Sequence, residues 1–137
     1  MLKHLSVEVT GDWELKSDKK WVTFALTQII DNAIKYSKDN GKIIIRISQA
    51  SIEISDDGSG ILEEDLPRIF EEGFTGFNGH EHQKATGLGL YMTKQVLDSL
   101  SLDINIQSQI DQGTHVLITP KNVKQEDFVL LFSDYFL

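Results

Sequence analysis

The 137-residue chain has no cysteine, which rules out a disulfide framework and suits a reducing compartment. No apolar run approaches the ~18 residues of a membrane span, and no secretory leader is visible. Positive charge is in deficit: 13 Lys and Arg against 21 Asp and Glu leave a formal net charge of −8. That balance argues against nucleic acid as the main partner, while leaving room for a local basic patch. Internal repeats and low-complexity tracts are absent. So are two common phosphate-binding signatures. No Gly-Lys-Ser/Thr follows the glycines near residue 87, and the Gly-x-Gly-x-x-Gly spacing of a dinucleotide fold does not occur. What is left is one domain long enough to bury a core.

Three segments carry chemistry. The first is Asp56-Asp57-Gly58-Ser59-Gly60-Ile61. Ile52, Ile54 and Asp56 share parity, so an extended strand projects them to one face with the carboxylate at its tip. That carboxylate suits an exocyclic amine such as a purine carries, and Gly58 and Gly60 suit close approach of a ligand or a tight turn. Taken alone, Asp-x-Gly-x-Gly fits an ordinary turn equally well. The second segment is a helix over 18–37, capped by Ser17 or Asp18, with Val22, Leu26, Ile29, Ile30 and Ala33 on its apolar face. Gln28, Asn32 and Lys35 line one edge of that face. They read either as a polar flank or as a site in which Asn32 offers a carbonyl oxygen to Mg²⁺ and Lys35 neutralises phosphate. The third is Thr86-Gly87-Leu88-Gly89-Leu90, which opens an apolar-periodic helix and exposes N–H groups to an anion.

Strands are expected at 5–9, 13–15, 42–48, 51–56, 102–108 and 114–119, with helices at 18–37, 63–71 and 88–100. Asn40-Gly41 ends the first helix rather than linking two strands. Helices on one face of the sheet make a two-layer α/β sandwich. Between Arg68 and Lys84 lies a glycine-rich segment of the kind that forms a lid or a disordered excursion, its near end anchored by Phe70 and Phe74, which alone would pass for core aromatics.

Together, Asn32 within Gln28-Ile-Ile-Asp-Asn-Ala-Ile-Lys-Tyr-Ser37, Asp56-x-Gly58-x-Gly60, Phe70-x-x-x-Phe74 and Gly87-Leu-Gly-Leu90 resemble the N, G1, F and G2 boxes of a known family. It is the catalytic and ATP-binding domain of sensor histidine kinases. The lid Phe74-Thr-Gly-Phe-Asn-Gly79 is similar to that of the Gram-positive intramembrane-sensing group responding to bacitracin and other antimicrobial peptides. The resemblance implies the Bergerat fold, a mixed sheet backed by helices with an ATP lid, over residues 1–120, and ATP and Mg²⁺ as ligands. It assigns the catalytic work to Asn32 and Lys35, with Asn32 on Mg²⁺ and Gln28 a second candidate ligand. Nucleotide contacts fall to Asn32, Lys35, Tyr36, Asp56, Gly58, Gly60, Ile61, Phe70, Phe74, His80, Lys84, Thr86, Gly87, Leu88, Gly89 and Leu90. The implied partners are a helical dimerisation domain bearing the acceptor histidine and a response regulator. The parent would be a membrane-anchored homodimer with this part in the cytoplasm.

Three departures from the family qualify that picture. The wider ATPase superfamily carries a Glu four residues before the Asn as general base for water, and here Gln28 stands there; an amide does not take that proton at neutral pH. Among His4, His80, His82 and His115, only His80 is followed by an acid, and the rest of the acceptor motif is missing. Thr75-Gly76 replaces the lid Arg of many relatives, leaving His80 or Lys84 to supply positive charge. His80 and His82 otherwise read as polar loop residues rather than metal ligands. Beyond Pro120, residues 121–137 form an extension in which Phe128, Phe132, Tyr135 and Phe136 make an aromatic stripe at helical spacing, able to dock on the domain or on a partner.

Overall fold

The computed structural model describes residues 4–74 and 89–121. The expected contributions of His80, Lys84, Thr86, Gly87 and Leu88, and the aromatic extension, lie outside the described residues. The chain runs β1 (Ser6–Gly11), α1 (Lys19–Tyr36), β2 (Lys42–Ser48), β3 (Ser51–Asp56), a 3₁₀ turn (Leu66–Arg68), α2 (Gly89–Ser99), β4 (Leu102–Gln109) and β5 (Gly113–Pro120). The five strands form one mixed sheet in the order β1-β2-β3-β5-β4. Only β1 and β2 run parallel; the other pairs are antiparallel.

Strand alternation builds the core. Register sets Ile45 against Ile54, Ile54 against Val116, and Val116 against Ile106. A second row crosses the sheet through Ile47, Ile52, Ile118 and Ile104. Because side chains on directly opposed residues share a face, these two rows make one continuous apolar surface. Helix α1 covers it with Ala25, Ile29 and Ala33, all buried and spaced by four. Helix α2 adds Val96 and Leu97. The small alanines let α1 lie close to the sheet.

The α1 ends obey local chemistry. Asp18 accepts from the N–H groups of Lys20 (3.0 Å) and Trp21 (3.3 Å), satisfying two donors of the first turn. At the other end Ser37 leaves the helical region, its N–H donating to the Ile34 carbonyl at 3.3 Å and its hydroxyl to the carbonyl of Ala33. Asn40 then takes a positive φ of 62° and turns the chain into β2, as expected of Asn40-Gly41.

Two expected elements differ. No strand forms at 13–15; Trp13 and Leu15 instead pack irregularly on the edge of the core. The reason lies at Gly11, whose φ is +87° and whose missing side chain would collide with the Ile47 carbonyl, so the chain turns out of the sheet there. The helix expected at 63–71 is only the 3₁₀ turn with flanking turns, and Pro67 within it removes a backbone donor.

Two substitutions test this account by denaturant unfolding. Ile54→Ala, at a residue 1 % exposed, is expected to cost about 2–5 kcal/mol through lost transfer energy and a residual cavity. Asp18→Ala is expected to cost about 1 kcal/mol by stripping the cap of α1. The two sites share no partner, so the double variant should lose close to the sum.

Candidate functional site

Asp56 ends β3 on the helix-facing side of the sheet, between Ile43 of β2 and Thr114 of β5. Burial pushes its carboxyl up to about 6 from an ordinary 3.8. Hydrogen bonds from the backbone N–H groups of Gly58 and Thr114 pull the other way, and the neighbouring Asp57 charge raises it further. The Gly58 donor lies 2.9 Å from Asp56 Oδ1.

The loop after Asp56 is held on three sides. A side chain at Gly58 would sit 2.4 Å from the Tyr36 carbonyl oxygen at the end of α1, and that same oxygen accepts from Ser59 N–H at 3.1 Å. Gly60 adopts φ +76° with the Gln109 carbonyl against it, and Ser59 in turn accepts from Asp111 N–H at 2.9 Å. Ile61 N–H donates to Ser108 Oγ at 2.7 Å. Ser108 also reaches Thr114 Oγ1 at 2.8 Å and the Gly113 carbonyl at 3.0 Å. Both glycines are thus required first by close packing of the chain against itself.

The polar edge of α1 forms the second wall. Gln28, Asn32, Lys35 and Tyr36 are all half-buried. Gln28 Oε1 lies 3.1 Å from where a side chain at Gly89 would begin, so the amide reaches the start of the described part of α2. There Thr93 Oγ1 donates to the Gly89 carbonyl at 2.7 Å. From Gln28 to Tyr36 the helix advances about 12 Å. One edge of α1 therefore links the Gly89 end of α2 to the Asp56 loop, with Asn32 between them. Burial lowers the pKa of Lys35 and raises that of Tyr36. The Lys35 ammonium lies 5.6 Å from the Tyr36 ring centre.

Phe70 and Phe74 are only half-buried; the deep anchor of that stretch is Ile69, at 7 % exposure. The Arg68 guanidinium lies 4.6 Å from the Phe74 ring centre. Ile61 and Leu90 are half-buried. Sequence reasoning passed over Ser108, Gly113, Thr114 and Asp57. Gly113, at φ +116°, packs on the Asp56 carbonyl, and Asp57 Oδ1 accepts from Lys42 N–H at 2.9 Å. The glycine after Asp111-Gln112 was the available signal for the first of these. His115 stands on the opposite face of the sheet, its Nδ1 2.7 Å from Ser55 Oγ.

The family described as "Histidine kinase-, DNA gyrase B-, and HSP90-like ATPase" matches residues 17–124, and the chain belongs to it. Within that family its relatives are sensor histidine kinases. It is 38% identical over 128 residues to the sensor protein BceS of Halalkalibacterium halodurans, a match covering 91% of this chain and 37% of that protein. It is 37% identical over 117 residues to the sensor histidine kinase GraS of Staphylococcus haemolyticus, covering 82% of this chain and 34% of GraS. The chain thus spans about a third of the length of these curated relatives. Among solved structures, a mycobacterial sensor histidine kinase, MprB, superposes with a TM-score of 0.67 at 25% identity, covering 83% of this chain and 79% of that one. The expected α/β fold, a mixed sheet backed by helices, is that of histidine kinase catalytic domains.

The raised carboxyl of Asp56 fixes the sign of a pH effect. Between about pH 4 and 6 the folded protein holds a proton that the unfolded chain releases, so this group's contribution falls as pH rises through that window. Above it, the unliganded protein carries a penalty of up to roughly 3 kcal/mol. Asp56→Asn removes the titration, so the stability of that variant relative to wild type should increase from pH 4 to pH 7, measured by urea unfolding at each pH.

Proposed function

We propose that this chain is the catalytic and ATP-binding part of a sensor histidine kinase, donating the γ-phosphate of ATP to a histidine on a separate helical dimerisation domain for onward transfer to a response regulator. The observation that carries the reading is the edge of α1 that joins the Asp56 loop to the Gly89 end of α2. In this reading adenine lies at Asp56, whose ionised carboxylate accepts from the exocyclic amine, and the phosphates run along α1 past Asn32 towards α2. Lys35 neutralises phosphate charge, and Tyr36, Gly58, Gly60 and Ile61 border the nucleotide. Phe70 and Phe74 brace the near end of the lid, and His80, Lys84 and Thr86 to Leu90 complete the phosphate side. The parent would be a membrane-anchored homodimer of the bacitracin- and antimicrobial-peptide-responsive group, with this part in the cytoplasm.

The residues present fit Mg²⁺. Asn32 and Gln28 offer hard carbonyl oxygens one helical turn apart, and among the described residues no cluster of three or more His, Cys, Asp or Glu forms a dedicated cage. Such a set suits a small cation held mainly by phosphate and water, with Asn32 as its protein ligand and Gln28 beside it. The bound metal would neutralise charge on the transferring phosphoryl group. The protein's own part is positioning: Asp56 fixes the base, and Asn32 and Lys35 align the triphosphate. Gln28 cannot deprotonate water, which favours transfer over hydrolysis.

Nucleotide titrations separate these roles. Asp56→Asn should lower ATP affinity roughly ten- to hundredfold through loss of a charge-assisted hydrogen bond. Wild-type affinity should fall as pH drops below about 6, where the carboxylate takes up its proton, and the variant should lose that dependence. Asn32→Ala should weaken Mg²⁺-dependent ATP binding and spare adenosine. Equal losses for both ligands in a folded variant would refute the metal assignment.

Transfer itself is measured with γ-labelled Mg·ATP. The chain alone should form no stable phosphoprotein and release phosphate slowly. Adding its dimerisation domain in trans should give weak labelling of that domain, because untethered domains lose the millimolar-order effective concentration of a short linker. Steady-state hydrolysis at enzymatic rates by the chain alone, or stable labelling of His80, would overturn the proposal.

A further inference from the structure

Asp56 does not stand alone on its side of the sheet. In register, Asp56 of β3 opposes Thr114 of β5, and Thr114 opposes Ser108 of β4, so the three side chains form one row on the helix-facing side. Ser108 ends this row, and the ATP reading above gives it no part. Its hydroxyl nevertheless has three partners: Ile61 N–H at 2.7 Å, Thr114 Oγ1 at 2.8 Å and the Gly113 carbonyl at 3.0 Å. A serine hydroxyl has one proton and two lone pairs, and these contacts use all of them. The Gly113 carbonyl can only accept, so it takes the Ser108 proton. Ile61 N–H donates to one lone pair, which leaves the other for the hydroxyl proton of Thr114.

The three partners belong to the two segments that border the Asp56 carboxylate. Ile61 closes the Asp-x-Gly-x-Gly turn that follows it in sequence. Gly113 and Thr114 open β5 beside it. There Gly113 packs on the Asp56 carbonyl, and Thr114 N–H is one of the two backbone donors to the carboxylate. A second tie between the same segments runs from Asp111 N–H to the Ser59 carbonyl at 2.9 Å and involves main chain alone. Ser108 is therefore the side-chain half of the joint. Its removal strips three polar groups of a partner while the main-chain tie stays in place.

We infer, resting on the ATP reading proposed above, that Ser108 is a positioning residue for base recognition: its hydroxyl clamps the turn after Asp56 to the start of β5 and so holds the carboxylate in the orientation that an exocyclic amine meets. Asp56 touches the base; Ser108 acts through Ile61, Gly113 and Thr114. The arrangement demands a hydroxyl, since alanine supplies neither proton nor lone pair and cysteine supplies only weak versions of both. Loosening β5 at Thr114 withdraws a backbone donor from the carboxylate, which disfavours its ionised form.

Two measurements on the whole chain test this role. The first follows the titration of the Asp56 carboxyl by carbon NMR in the ligand-free protein, and the second is adenosine affinity at neutral pH. In Ser108→Ala the titration midpoint should move up from its wild-type value, and adenosine should bind roughly threefold to tenfold more weakly. Ser108→Thr, which keeps the hydroxyl, should restore both. A serine that only adds stability would lower the urea midpoint of Ser108→Ala and leave the titration and the affinity alone; an unchanged value of either overturns the inference. So does a Ser108→Thr chain as impaired as Ser108→Ala. If Ser108→Ala does not fold cooperatively, Ser108→Cys, which keeps the shape and weakens all three bonds, takes its place under the same two readings. A wild-type chain that binds no adenosine would sink the ATP reading and the inference with it, whereas normal wild-type binding with an unimpaired Ser108→Ala sinks the inference alone.

Discussion

Burial of the Asp56 carboxylate is the constraint around which the rest of this molecule is arranged. A charge at the end of an interior strand is disfavoured there, and burial accordingly raises the carboxyl pKa. Two backbone N–H groups relieve it in part, and they come from different places: Gly58 in the following loop and Thr114 in β5. Around the carboxylate the backbone approaches within the reach of a missing side chain at Gly58 and Gly113, and the following turn does the same at Gly60 against Gln109. Gly58, Gly113, the Ser108 network and the end of α1 together hold the chain around this poorly solvated carboxylate. A site so prepared gains from a ligand that supplies the hydrogen-bond donor which water cannot.

Helix α1 does two jobs with two faces. Its alanine and isoleucine face closes the core, and its amide and ammonium edge runs between the two ends of the site. The positions interleave at helical spacing, so the core face fixes the rotation of the helix and with it the direction of the polar edge. Stability and site geometry are therefore coupled through one rigid element rather than through loops.

Most of this was legible because it rests on periodicity. The isoleucine alternation in β2 and β3, the spacing of Ala25, Ile29 and Ala33, and the Asp-x-Gly-x-Gly signature each express a local rule. Long-range contacts were harder to read. Nothing local announces that Ser108 and Thr114 would meet the loop at Ile61, because that meeting depends on β5 lying beside β3. The strand expected at 13–15 failed for the same kind of reason: alternation there was adequate, but Gly11 turns the chain away from the sheet. Pro67 shortened the helix expected at 63–71 to a single 3₁₀ turn, a local effect of a ring that lacks a backbone donor.

The sheet order places β3 against β5, and this has a bearing on how the molecule comes together. The hairpins β2-β3 and β4-β5 each close over a few residues, whereas β3 and β5 meet only after a long stretch of intervening chain. Asp56 and Thr114 face each other across that long-range seam. The Asp56 end of the site thus does not exist in either half alone, and a ligand seated there would bind only the joined form. Ligand would act as a clasp across this long-range junction, drawing partly assembled chains towards the native state by mass action.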